Sequence, residues 1–152
     1  MNIRPALISD VNTVKNIAIT TISEIYPHYY PMGAVEFFIN LHNAESIKSD
    51  IETDRVYVCE DENNNAVGTV TVKNNGICRL FVLPKYQKSG YGSKLLEFAE
   101  NMIFNDYDEI IIDASLSAKE MYLKRGYTDR EYYMIETDNN DFLCYDVMIK
   151  SK

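Results

Sequence analysis

The sequence has no apolar run of 18 residues, so no segment is long enough to span a membrane as a helix. Its start, Met1-Asn2-Ile3-Arg4-Pro5, lacks the apolar core of a secretory signal. Cysteines number three, Cys59, Cys78 and Cys144, an odd and widely spaced set without a Cys-x-x-Cys pair. That speaks against a disulfide framework and against a metal centre. Each lies in an apolar, strand-like stretch and reads as a buried free thiol, which points to a cytoplasmic protein. There is no repeat, linker or low-complexity tract. Four prolines and an apolar content of 46% describe an ordinary folded chain. Its length fits a single domain, 1–152, with room for a sizeable core.

Carboxylates are missing from Asn63 to Leu96, where simple proportion gives about five. The window carries Lys73, Arg79, Lys85, Lys88 and Lys94 instead. The whole chain has a net charge of −8, which opposes a nucleic-acid partner. One basic island in an acidic chain suits a small anionic ligand.

Local patterns give the element order β-α-α-β-β-β-α-β-α-β-β. Met1 to Ala6 reads as a strand. Ser9 or Asp10 caps a helix with Val11, Val14, Ile17, Ala18, Ile22 and Ile25 on its apolar face. Two prolines break it between Tyr26 and Gly33. Helical stretches follow at Ala34–Leu41 and Ala44–Ile51. Strands at Arg55–Glu60 and Ala66–Val72 flank a polar turn and form a hairpin, and Asn74-Asn75-Gly76 turns the chain into Ile77–Val82. A helix then buries Tyr91, Leu95, Leu96, Ala99, Met102 and Ile103 and exposes Lys94, Glu97, Glu100 and Asn101. Glu109–Ala114, with its run Ile110-Ile111-Ile112, reads as a central strand covered on both sides. A short helix at Ser117–Lys124 precedes a last hairpin, Tyr127–Glu136 with Phe142–Ile149. The strand–helix–strand unit requires two parallel strands and the hairpins antiparallel ones. The expected fold is therefore a mixed α/β (α+β) sheet with helices on both faces.

The chemistry is concentrated where strand Ile77–Val82 meets its helix, through Pro84-Lys85-Tyr86-Gln87-Lys88-Ser89-Gly90-Tyr91-Gly92-Ser93. Backbone N–H groups from Lys88 to Ser93 at a helix start form a nest for phosphate, and glycines let an anion approach. Leu95 stands where a dinucleotide-binding fingerprint needs its third glycine, and Lys94 has no glycine before it, as a nucleotide-triphosphate loop would require. A pyrophosphate cradle remains, with Lys88 adding charge.

Gln87-Lys88-Ser89-Gly90-Tyr91-Gly92 resembles the acyl-CoA signature of the GNAT family of N-acetyltransferases, Gln/Arg-x-x-Gly-x-Gly/Ala. Ser115 to Tyr127 is similar to that family's second motif, Asn-x-x-Ala-x-x-x-Tyr-x-x-x-Gly-Phe: Ala118, Tyr122 and Gly126 coincide, Tyr127 replaces Phe, and Ser115 replaces Asn. Serine cannot bridge two amide partners as asparagine does, so its contact to the pantetheine arm differs here. The element order matches the family over essentially the whole chain. The resemblance implies a mostly antiparallel sheet of about seven strands with a central β-α-β unit that binds acetyl-CoA as co-substrate. It implies cofactor contacts from Phe81, Val82, Gln87, Lys88, Ser89, Gly90, Tyr91, Gly92, Ser93, Ser115 and Ala118. A bulge in the strand is expected to aim N–H groups near Phe81 and Val82 at the thioester carbonyl. Tyr122 takes the role of acid to the leaving thiolate.

The segment Tyr26-Pro27-His28-Tyr29-Tyr30-Pro31 lies where the family walls its acceptor site, so Tyr26, His28, Tyr29 and Tyr30 are expected to contact the acceptor. Many relatives carry a glutamate base on the strand before the loop; none occurs between Ile77 and Leu83. His42, on a polar helical stretch, reads as solvent-exposed, and Glu24 as solvated. The implied reaction is acetyl transfer to a primary amine of a small molecule or peptide. The preferred acceptor would be cationic, and the protein's partners would include neither nucleic acid nor membrane. A homodimer fits the reading equally with a monomer. A non-catalytic acyl-CoA-binding or sensing domain is the alternative.

Overall fold

The computed structural model describes residues 1–152. One seven-stranded sheet runs in the order β1-β2-β3-β4-β5-β7-β6. Its strands are β1 (Asn2–Pro5), β2 (Val56–Glu60), β3 (Ala66–Lys73), β4 (Gly76–Val82), β5 (Glu109–Ser115), β6 (Thr128–Glu136) and β7 (Phe142–Ser151). Every neighbouring pair is antiparallel except β4 with β5. That pair is joined by helix α4 (Tyr91–Asp106), the crossover that a parallel connection requires.

Helices cover both faces. On one face α4 and α5 (Lys119–Lys124) bury Leu95, Leu96, Ala99, Ile103 and Tyr122 against Ile77, Ile110, Ile112 and Met148. Full burial of each large aliphatic side chain contributes about 1.5–3 kcal/mol. Close approach of α4 depends on Gly68 of β3, where a Cβ would lie 2.8 Å from Leu95 Cδ1 and 3.0 Å from the Phe81 carbonyl. The other face holds α1 (Val11–Ile25), α2 (Met32–Leu41) and α3 (Ala44–Glu52). There Ile17, Ala18, Ile22, Tyr26 and Val35 pack on Phe81 and Leu143, and Val14, Ile47 and Ile51 pack on Val56 and Val58. Pro27 ends α1 in a 3-10 turn, and Pro31 precedes α2.

Several expectations are corrected. Asp10 does not cap α1; its carboxylate accepts from the Leu7 amide at 2.8 Å and pairs with Arg4 at 2.7 Å. Glu100 is buried, not exposed, because it is the joint anion of Arg125 and Lys150. Of the cysteines only Cys59 is buried; Cys144 is half-buried, and Cys78 is exposed. β5 is sealed on the α4 face alone: Ile110 and Ile112 are buried, and Ile111 opens onto a small cavity. No helix is long and apolar enough to cross a membrane.

Candidate active site

β4 and β5 begin side by side and then part. They pair only through Gly76 with Ile111 and Ile77 with Ile112. Just beyond, β4 carries a bulge: Thr71 and Val72 of β3 oppose Arg79 and Ile77, leaving Cys78 extra. A bulge bends its strand and re-aims the residues beyond it. The expected bulge in this strand thus sits at Cys78. A cavity of about 810 Å³ occupies the resulting wedge and passes through the sheet, from the glycine loop and α5 on one face to α1 and α2 on the other.

At the loop end, the six backbone N–H groups from Lys88 to Ser93 make no hydrogen bond within the protein. Gly90 is left-handed, with φ of 88°, and Lys88 also has positive φ, 61°. Alternating handedness of this kind turns successive N–H groups into one concavity. A Cβ at Gly90 would meet nothing within 4 Å, so the cradle is open. Gly92 has ordinary backbone, and a Cβ there would come no closer than 3.9 Å to Val82. Gln87 anchors the loop by donating to the Val82 carbonyl at 3.0 Å. Lys88, Gly92 and Ser93 line the cavity; the side chains of Ser89 and Tyr91 do not, and Tyr91 packs edge-on against Tyr86. Of the basic island, Lys73 and Arg79 are spent on Asp50 of α3, at 2.7 and 3.2 Å, and Lys85, Lys88 and Lys94 stay exposed.

Strand alternation decides which β4 amides face the wedge. The Leu83 amide donates to Val67 of β3, so Phe81, two residues back, also directs its N–H at β3. Leu80 and Val82 direct theirs at the wedge. The expected N–H pair is therefore shifted from Phe81 and Val82 to Leu80 and Val82. Phe81 contributes its ring.

Mid-cavity, hydroxyls gather. Tyr122 and Tyr26 come close enough to influence each other, and Tyr26 faces the hydroxyls of Ser115 and Ser117. Ser115 and Ser117 are 3.0 Å apart. Burial raises the Tyr122 hydroxyl well above the usual tyrosine range, and the neighbouring Tyr26 raises it further. It is therefore protonated at neutral pH, as a proton donor must be. Its ring lies T-shaped on Tyr127, 5.4 Å between centroids. Ala118 lines the same stretch.

The far half is walled by Ile25, Phe38, Leu41, His42, Phe81 and Asp113. His42 is not solvent-exposed but 6% exposed, because its ring stands edge-on to Phe81 at 5.2 Å and Arg79 Nε donates to its Nδ1 at 3.2 Å. Burial, then the Arg79 charge, lower its pKa to about 4. With Nδ1 held as acceptor, the proton sits on Nε2, and His42 cannot act as a base. Asp113 is exposed to solvent and forms no hydrogen bond or ion pair, and partial desolvation by its neighbours raises its carboxyl above the usual range. Sequence reasoning missed both residues. The available signal was Asp113 itself, the one charge within the apolar run from Ile110 to Ala114.

The expected acceptor segment is divided. Tyr26 lines the cavity, but His28 and Tyr29 are exposed outside it. Tyr30 is buried as a strut: its hydroxyl accepts from the Leu116 amide at 2.7 Å and donates to the Cys144 carbonyl at 3.0 Å. Both hydrogen bonds consume the hydroxyl in backbone ties, which leaves nothing for an acceptor.

Residues 25–140 match the profile of the acetyltransferase (GNAT) domain. No curated protein matches the chain. Among solved structures, it is similar to a GCN5-related N-acetyltransferase from Rhodopseudomonas palustris, with a TM-score of 0.90, 21% identity, and coverage of 99% of this chain and 95% of that one. PaiA N-acetyltransferase from Thermoplasma acidophilum, solved with coenzyme A, gives 0.76 and 20%, covering 99% and 98%. The yncA protein from Salmonella typhimurium, solved with its cofactor acetyl-CoA, gives 0.74 and 15%, covering 99% and 93%. At these identities the likeness is one of fold.

Proposed function

The chain belongs to the GNAT acetyltransferase family, and from that premise we propose that it transfers the acetyl group of acetyl-CoA to a primary amine of a small molecule or peptide. The observation that carries the proposal is the row of six unpaired N–H groups at the start of α4, opening into a cavity that crosses the sheet. Unpaired backbone donors at a helix N-terminus favour the pyrophosphate of CoA, and Lys88 adds a cation. The open space above Gly90 gives the phosphates room to reach the backbone.

The acyl arm would run along the wedge, with the thioester carbonyl facing the N–H groups of Leu80 and Val82. Fixed donors of this kind stabilise a developing oxyanion without reorganising. Tyr122, neutral and in the cavity wall, supplies the proton for the departing thiolate. Ser115 is engaged with Ser117, so it offers the pantetheine arm fewer bonds than an asparagine would. Positioning the two reactants on opposite sides of one opening is the larger part of the catalysis.

The test is release of free thiol from acetyl-CoA with a panel of amines. Amine-dependent release supports the proposal. Saturable CoA binding with no release from any amine would instead favour a binding or sensing domain.

A further inference from the structure

The acceptor half of the cavity carries one unpartnered carboxylate, Asp113, which is exposed to solvent beside apolar side chains. Asp113 stands opposite Cys78, just past the last β4–β5 pair, and borders both the large cavity and a smaller one of about 290 Å³ on the same side. The walls are Ile25, Phe38, Leu41 and Phe81. The titratable and charged groups facing Asp113 are Cys78 on β4, Tyr133 on β6, Tyr145 on β7, and His42 and Lys73 around the small cavity. None of them competes with it as a base. The Cys78 thiol, though exposed, is raised by desolvation from neighbouring atoms, and the tyrosines are raised above their usual range. His42 has its Nδ1 occupied by Arg79. Lys73 and Arg79 are held by Asp50. Glu120, the other carboxylate in the cavity, lies at the α5 end and pairs with Lys124 at 2.7 Å.

We infer that the acceptor half is a site for a primary amine carried on an apolar body, whose ammonium Asp113 holds and deprotonates. The inference rests on the acetyl-transfer reading and narrows its substrate class. A single carboxylate matches a single ammonium, and an apolar wall gains from apolar surface, so a polycation or an acidic amine is disfavoured. The tyrosine rings of Tyr133 and Tyr145, stacked 5.5 Å apart beside Asp113, add faces that tolerate a cation. In the reaction, the ammonium gives one proton to Asp113, and the freed lone pair forms the C–N bond. The C–S bond breaks with its electron pair on sulfur, which takes the Tyr122 proton. The amide nitrogen loses its surplus proton to the tyrosinate, and Asp113 returns its own to solvent. One proton is released per turnover.

Phenethylamine serves as the probe, with spermidine and glutamate as contrasts. Calorimetry on the CoA-loaded protein should show phenethylamine binding at least tenfold weaker in Asp113→Asn than in the parent, with CoA affinity equal. The acid limb of kcat/KM should move in Asp113→Asn to the pKa of the amine itself, with activity approaching the parent only at alkaline pH, where the free amine predominates. Asp113→Glu should return that limb part of the way. Equal phenethylamine affinity, an unchanged acid limb, or best turnover with spermidine or glutamate would each overturn the inference. A parent that binds phenethylamine through Asp113 but releases no thiol would keep the subsite and overturn both the deprotonation and the transfer reading.

Discussion

Arg79 Nε donates to His42 Nδ1 at 3.2 Å, and the same guanidinium reaches Asp50 and Thr71 at 3.2 and 2.8 Å. One side chain on β4 thereby joins the end of α2, helix α3 and strand β3 beside the far half of the cavity. It also fixes the protonation state of His42.

That state has a consequence for stability. An unfolded histidine titrates near 6.5, whereas burial and Arg79 hold His42 down to about 4. Between those values the unfolded chain binds the extra proton. Stability from this group is therefore complete above about 6.5 and is lost as pH falls toward 4, an effect on the order of 3 kcal/mol. The melting temperature should fall across that window, and His42→Gln, which still offers Arg79 an oxygen, should flatten the fall. Parallel curves for parent and variant would assign the acid sensitivity to carboxylates elsewhere.

Gly90→Val places a branched residue at φ of 88°, at a strain cost of about 1–2 kcal/mol, and projects it into the cradle. CoA at a hundredfold excess over its Kd should stabilise the parent by about 2.7 kcal/mol. It should leave the Gly90→Val melting temperature unmoved. Gly92→Ala, with ordinary backbone and a nearest contact of 3.9 Å, should fold normally and separate strain from blockage. Equal CoA shifts in parent and Gly90→Val would return the loop to a purely structural role.

Tyr122→Phe keeps the ring on Tyr127 and deletes the hydroxyl. Turnover should fall by about 10²-fold or more, with CoA affinity little changed. The decisive measurement is single-turnover chemistry at saturating acetyl-CoA. An unchanged rate would shift the proton donor to water.

Glu100 receives Arg125 at 2.9 and 3.1 Å on one oxygen and Lys150 at 3.0 Å on the other. Glu100→Ala leaves both cations without their anion and should cost about 2 kcal/mol in urea unfolding. A loss under half that value would show that the two cations reach solvent freely.

Much of the architecture was legible because its signals are local. Val14, Ile17, Ala18 and Ile22 recur at helical spacing, Asn74-Asn75-Gly76 announces a turn, and the Gly90 loop needs a backbone conformation that few residues adopt. The sequence by itself therefore determined the order of elements, the parallel pair around α4 and the glycine loop with its unpaired N–H groups. The tertiary structure alone decided what depends on distant partners. His42 looked exposed until Arg79, 37 residues away, was found against it. Glu100 looked solvated until Arg125 and Lys150 closed on it. Tyr30 resembled an acceptor contact, yet it ties α2's approach to the segment after β5 and to β7. The wedge itself arises from a one-residue bulge at Cys78, a matter of strand register that no local periodicity encodes. Burial and charge pairing are set by which surfaces meet, and for that reason the glycine loop was visible along the chain while the cavity half lined by Asp113 and His42 became visible only once the sheet was assembled.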